Sequence, residues 1–111
     1  MADVRLREEP FEFDGNTYML RCNMNVLADM QELGGGDFEN VLDGTIASAL
    51  SVLTVMLNDY ADEQGWAMVT RKTVGRRINL SEFKRFMPKM WALVTDALKD
   101  ETNAQEKPEK N

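Results

Sequence analysis

The stretch FEFDGNTYML, residues 11–20, predicts a β-hairpin. Asp14-Gly15 is a dipeptide favoured by the two-residue type I′ turn, because both central residues of that turn need a positive φ. The turn then fixes which residues of the two strands lie opposite each other. The predicted pairs are Phe13 with Asn16, Glu12 with Thr17, and Phe11 with Tyr18.

One face of this hairpin is apolar along its whole length. Its side chains are those of Phe11, Phe13, Tyr18, Leu20 and Cys22. An isolated pair of strands cannot shield such a face from water, so helices must cover it. Beyond the apolar face, Glu8 lies opposite Arg21 as a pair of opposite charges.

Helix start and stop signals divide much of the remaining chain. Asn23 is a suitable N-cap for a first helix, which ends at the glycines 34–36. Asp37 caps a short second helix, and a long third helix begins after Thr45 and stops at Gly65. This third helix is apolar over most of its circumference, which is typical of the central helix of a domain or of one shared with a partner.

Two further helical segments follow. Residues 70–78 indicate a short basic helix or a turn, in which Gly75 disfavours the helix. Ser81 caps a final helix whose apolar residues recur at spacings of three and four. Pro88 is expected to kink this helix or to mark a restart near Met87. The sequence therefore predicts an α+β fold, with an N-terminal β-hairpin packed on a mainly helical domain of about five helices.

Length and composition predict one globular domain. The chain has 111 residues, of which 43% are hydrophobic and 29% charged, as in ordinary globular proteins. We place the domain at residues 1–100, with the hairpin in 5–22 and the helices in 24–99, and predict a disordered polar tail over 101–111. There is no signal peptide or membrane-length apolar run, and one cysteine suits a reducing compartment, so the predicted location is the cytoplasm.

Few side chains offer reactive groups. With no histidine and one cysteine, the chain cannot build a Ser-His-Asp or Cys-His unit or a usual zinc site. The glycines 34–36 lack the Gly-Lys-Ser/Thr ending of a phosphate loop. Asp37, Glu39 and Asp43 lack the spacing of a calcium loop. The sequence therefore predicts no enzyme activity, no cofactor and no metal, and it favours a role in protein binding.

Charge is segregated along the chain. Residues 1–70 carry 3 basic and 13 acidic groups, whereas residues 71–89 carry seven basic groups and one acidic group. Such asymmetry steers association with a partner of opposite sign, including another copy of the chain. The alternative is a solvated face that is neutralised within the fold. The seven residues, called here the basic set, are Arg71, Lys72, Arg76, Arg77, Lys84, Arg85 and Lys89.

Methionines offer a second kind of contact surface. The chain has eight of them, and their flexible thioether side chains can repack against varied partners. Met56, Met87 and Met90 are the candidates, and core filling is the alternative for each. These three methionines and the basic set are the predicted partner-binding residues.

The segment TVGRRINLSEFKRFMPKM, residues 73–90, has the outline of a helix-turn-helix motif. Its basic residues could contact DNA phosphates. Gly75, Pro88 and the acidic net charge of -6 disfavour this interpretation. A small DNA-binding regulator is therefore a lesser alternative.

The stretch REEPFEFDGNTYMLRCNMNVLADMQELGG, followed by LNDYADEQG and TVGRRI, resembles the tail assembly chaperones of long-tailed phages and prophages of Gram-positive bacteria. Members of that family open with a phenylalanine-rich strand, a D/N-G turn and a Tyr-x-Leu/Arg strand. A helix with acidic and apolar residues then leads into a glycine. The likeness covers residues 5–98.

The resemblance implies a nonenzymatic factor that binds the tape measure protein and promotes assembly of the tail tube. Its implied partners are the tape measure protein and the tail tube protein, in the host cytoplasm and away from any membrane, and it is absent from the mature virion. The segregated charges add a homo-oligomer as a further expectation. A structural tail or connector component that stays in the particle is the alternative function.

Overall fold

The computed structural model describes the backbone of residues 7–110 and the side chains of residues 7–99. Within that range it contains β1 (Glu9–Phe13), β2 (Asn16–Leu20), α1 (Met24–Leu33), α2 (Ile46–Gln64), α3 (Arg71–Arg77) and α4 (Leu80–Lys110). The α+β class is confirmed, but the described residues form four α-helices rather than about five. The predicted second helix is a single 3-10 turn, Phe38–Val41.

The hairpin has the predicted geometry. Asp14 and Gly15 have φ values of 53° and 83°, as the type I′ turn requires. All three predicted residue pairs of the antiparallel strands are present. The predicted apolar face is buried throughout, and its members are Phe11, Phe13, Tyr18, Leu20 and Cys22.

Helices α2 and α4 cover this apolar face. Strand β2 packs on α2, and β1 packs on α4. The ring centroids of Phe11 and Phe86 of α4 are 4.6 Å apart, and those of Tyr18 and Trp66, just after α2, are 5.1 Å apart. Each such aromatic pair contributes about 0.5–1.5 kcal/mol beyond the burial of its area.

Helix α2 is the central element, as its apolar circumference predicts. It begins after Thr45, whose hydroxyl accepts a hydrogen bond from the Ser48 N–H, and it ends at Gly65 with φ of 76°. It packs against the hairpin, α1 and α3. Thr54 is the one buried polar side chain of α2 in the described region, and its hydroxyl donates to the Leu50 carbonyl at 2.7 Å. The hydroxyl therefore keeps a hydrogen-bond partner although it is buried.

The caps of α1 and α4 differ in how well the sequence predicts them. The Asn23 side chain accepts from the Val26 N–H at 2.9 Å, which confirms the predicted cap of α1. At α4, Asn79 accepts from the Glu82 N–H at 2.8 Å, and Glu82 accepts from the Asn79 N–H at 3.1 Å. The predicted Ser81 cap is therefore wrong, because this reciprocal capping box starts the helix earlier.

Helix α4 continues through Pro88. A proline removes one backbone donor from a helix, but Phe86 and Met90 on either side of it are both buried in the core, which supports a continuous helix there. The restart predicted near Met87 is therefore wrong, whereas a kink stays a prediction. The predicted disordered tail, 101–111, includes backbone that belongs to the end of α4, residues 101–110. The side chains there lie outside the described residues, and the lack of core contacts in this tail stays a prediction.

Arg21 joins the end of the hairpin to α2. Its guanidinium lies 3.4 Å from Glu8, 3.4 Å from Asp59 and 2.5 Å from Glu63, which confirms the predicted pairing with Glu8. Asp59 also accepts from the Asn23 amide at 2.8 Å. Burial lowers the pKa of Arg21, but its bonds to Glu63 and Asp59 outweigh that effect and raise the pKa overall. The guanidinium therefore stays charged.

Gly34→Ala and Gly75→Ala should change stability in opposite directions. A Cβ at residue 34 would lie 2.1 Å from the Asp37 carbonyl oxygen, whereas one at residue 75 would lie 3.6 Å from Leu50 Cδ1, an ordinary contact. We expect Gly34→Ala to lower the free energy of unfolding by about 2 kcal/mol. Gly75→Ala should raise it by about 0.5–1 kcal/mol, because alanine favours the helix. Urea denaturation measures both, and a Gly34→Ala protein as stable as the parent would contradict the loop geometry.

Arg21→Ala should destabilise the fold through the carboxylate that it leaves behind. Arg21 is 17% exposed, and its loss leaves the part-buried Asp59 with a neutral amide as its remaining partner. We expect the free energy of unfolding to fall by about 1–3 kcal/mol. The control is Arg7→Ala, which breaks ion pairs with Glu9 and Asp96 at the surface and should cost much less. Equal losses in the two variants would refute a special role for Arg21.

Candidate protein-binding groove

Two adjoining cavities form one groove between α2 and α4. The first has a volume of about 190 Å³ and lies among α2, α3 and the start of α4. The second has a volume of about 130 Å³ and continues along α4. Ile46 and Phe83 line both cavities. We call this surface the α2–α4 groove, and its apolar wall is formed by Ile46, Ala49, Leu50, Ile78, Leu80, Phe83, Met87 and Trp91.

The groove is apolar and open to solvent. Ile46 is 57% exposed and Leu80 is 59% exposed, and each is the first residue of its helix. Large apolar side chains that adjoin one another at a protein surface are typical of interaction sites, whereas single ones are unremarkable. The arrangement therefore fits a site for protein contact.

Two neighbouring rows of apolar side chains on α4 explain the groove. The row of Phe86, Met90 and Val94 is buried in the core beneath the hairpin. The second row, Phe83, Met87 and Trp91, is offset on the helix surface and only partly buried. Because residues four apart share a helix face, the second row lines the groove while the first packs inward.

All seven residues of the basic set are exposed. Arg77 donates to Asp14 at 2.5 Å and so joins α3 to the hairpin turn. Among residues 7–99, the other six make no ion pair. Neutralisation within the fold therefore accounts for one of the seven charges in this part of the chain.

The basic set divides between two sides of α4. Arg85 and Lys89 line a separate cavity against β1, together with Glu12 and Glu82. Lys84 follows Leu80 by one helical turn and so lies on the groove side of α4. On α3, Gly75 lines the groove, and Arg71 and Lys72 lie one helical turn before it on the same side of the helix. The cations beside the groove are therefore Arg71, Lys72 and Lys84.

The three candidate methionines occupy different environments. Met56 is 1% exposed and Met90 is fully buried, so both are core residues and offer no surface to a partner in this structure. The prediction of partner contact for these two is corrected, because α2 and α4 turn them inward beneath the hairpin. Met87 lies in the wall of the groove.

Sequence reasoning missed Ile46 and Leu80 as surface residues, and it treated the apolar residues of α4, which include Phe83 and Trp91, as one stripe. One signal was available, because the apolar arc of α4 contains two rows at spacings of four, more than one buried stripe requires. The sequence does not specify which row the hairpin covers. The contact between Phe11 and Phe86 decides this.

The described residues contain no group of three or more metal-ligating side chains that could hold an ion. Nor does any described helix have the length and apolar character needed to cross a membrane.

Cys22 is a free thiol in the core, and burial raises its pKa to about 12. The thiol is therefore protonated at neutral pH.

Cys22 should resist alkylation in the folded protein. The pKa of this thiol is about 8.5 in an unfolded chain and about 12 in the folded protein. The protonated buried thiol therefore contributes its full stabilisation below about pH 8.5, and this stabilisation is lost as the pH rises towards about 12. At pH 8, iodoacetamide should label it at the rate of unfolding, and much faster in urea. Mass spectrometry measures the labelled fraction. Labelling as fast as that of a free thiol would contradict the burial.

No protein-family model, curated protein or solved structure matches the chain. The resemblance to tail assembly chaperones therefore stays a prediction from the residues that carry it.

Proposed function

We propose that this protein is a nonenzymatic assembly chaperone of a long-tailed phage or prophage. In this proposal it binds the tape measure protein in the host cytoplasm, promotes assembly of the tail tube, and does not enter the virion. The observation that carries the proposal is the α2–α4 groove, an apolar surface left open beside a completed core. The resemblance of the hairpin and first helix supplies the phage context.

The composition of the groove suits a client with a repetitive sequence. Phe83 and Trp91 supply large contact areas, and Met87 can change rotamer to fit different side chains. Shape requirements at such a wall are loose, so several segments of one long client can bind in turn. This is the property that a protein needs if it is to cover an aggregation-prone chain.

The size of the groove suits temporary binding. A contact on eight apolar side chains, most of them partly buried already, is smaller than a standard stable interface of about 800 Å² per partner. A chaperone that must yield its client to the tail tube protein needs such a modest affinity. A structural tail or connector component, the alternative function, would need a permanent and larger interface.

Co-expression tests the proposal directly. The client to use is the product of the very long, helical reading frame expected immediately downstream of this gene. We expect that product to aggregate when it is made alone, and to stay soluble and co-purify with this protein when both are made. If the long protein stays insoluble, or is soluble but elutes separately, the chaperone function is wrong.

Mass spectrometry of purified virions separates the chaperone from the structural component. The chaperone should be absent from mature particles and present in the lysate of cells that assemble tails. Its presence in stoichiometric amounts with the tail tube protein would instead establish the structural role.

Salt-sensitive binding to duplex DNA that Arg76→Ala and Arg77→Ala weaken would favour the DNA-binding regulator.

A further inference from the structure

We infer that the α2–α4 groove docks one amphipathic helix of a partner protein, with the apolar stripe of that helix on Leu80, Phe83 and Met87 and its acidic flank against the neighbouring cations. The inference rests on the proposed function only in naming the tape measure protein as the source of the helix. The chemistry of the occupant is argued from the groove itself.

The dimensions and lining of the groove favour a helix over a strand. From Leu80 to Trp91 the wall extends about 16 Å along α4, which equals about three helical turns. Its lining residues lie on helices and their connecting loops. A partner strand adds to the open edge of a sheet, and neither strand of the hairpin lines these cavities.

The charge beside the groove favours an acidic partner. On α4, Lys84 lies four residues after Leu80 and three before Met87, and on α3, Arg71 and Lys72 lie one helical turn before Gly75, which lines the first cavity. None of these three cations makes an ion pair among residues 7–99. Asp43 is an acidic residue next to Gly44, which lines the groove, but its carboxylate is already engaged. It accepts hydrogen bonds from the Thr45 amide at 3.0 Å and from the Thr45 hydroxyl at 2.9 Å.

A second copy of the chain fits this groove less well. Helix α2 carries acidic residues at its C-terminal end, but Asp59 and Glu63 there already pair with Arg21. Helix α1 is the other acidic helix in the described region, with Asp29 and Glu32 exposed. Its buried residues already face its own core, and its exposed apolar residues, Met24 and Leu33, stand at its two ends. An anchor stripe needs apolar residues at spacings of three, four and seven, which this exposed face lacks.

Designed peptides provide the probe. The first is an amphipathic helix of about three heptads with leucines on one face and glutamates beside them. The second replaces the glutamates by lysines, and the third keeps the first composition in scrambled order. Fluorescence anisotropy with the full chain at low salt should give an affinity for the first peptide at least about tenfold above the other two. Added salt should weaken its binding.

Matched variants locate the site. Leu80→Glu and Met24→Glu each place a glutamate at the exposed first residue of a helix, where it suits the helix dipole, but only Leu80 lines the groove. Leu80→Glu should weaken binding about tenfold and Met24→Glu less than about twofold. Lys84→Glu should weaken binding about threefold or more. Its control is Lys99→Glu, the same charge change about 22 Å further along α4. Circular dichroism should give all four variants the parent fold.

The results either support or overturn the inference. Equal affinity for the acidic and lysine peptides, or equal binding by the Leu80→Glu and Met24→Glu proteins, overturns it. If sedimentation shows self-association that Leu80→Glu abolishes, the occupant is a second copy and the partner assignment is wrong. If the acidic peptide binds in the groove but the tape measure protein does not, the docking site is supported and the proposed function fails.

Discussion

The structure depends on covering the apolar face of a two-stranded hairpin. Such a pair of strands is not stable alone in water, and here α2 covers one strand while α4 covers the other. The contact between Phe11 and Phe86 turns one apolar row of α4 inward. The second row is then left beside α2, where it lines the α2–α4 groove. The proposed binding surface is thus a consequence of how the hairpin packs.

The position of α3 follows from two further links. The Asn58 side chain donates to the Val69 carbonyl and accepts from the Val69 N–H, both at 2.8 Å, which ties the segment before α3 to α2. At the other end of α3, Arg77 pairs with Asp14 in the hairpin turn. These links keep the exposed cations of α3 beside the groove, so the charge and the apolar wall belong to one surface. An acidic amphipathic helix matches both features.

Features set by local chemistry could be predicted from the sequence, whereas those set by packing could not. The hairpin register follows from Asp14-Gly15, and the start of α1 follows from Asn23, because each depends on a few adjacent residues. The start of α4 was missed because Asn79 and Glu82 form a reciprocal cap that takes precedence over Ser81. The burial of Met90 and the exposure of Leu80 depend on how distant elements pack, which spacing within α4 does not determine.

The two tryptophans provide the most direct measurement of the central claim, that this protein binds a partner helix through the α2–α4 groove. Trp91 lines the groove, whereas Trp66 packs against Tyr18 and Tyr60. In an NMR titration of the ¹⁵N-labelled protein with an acidic amphipathic helix, the indole N–H signal of Trp91 should shift while that of Trp66 stays in place. A shift of the Trp66 signal with an unchanged Trp91 signal would contradict the account.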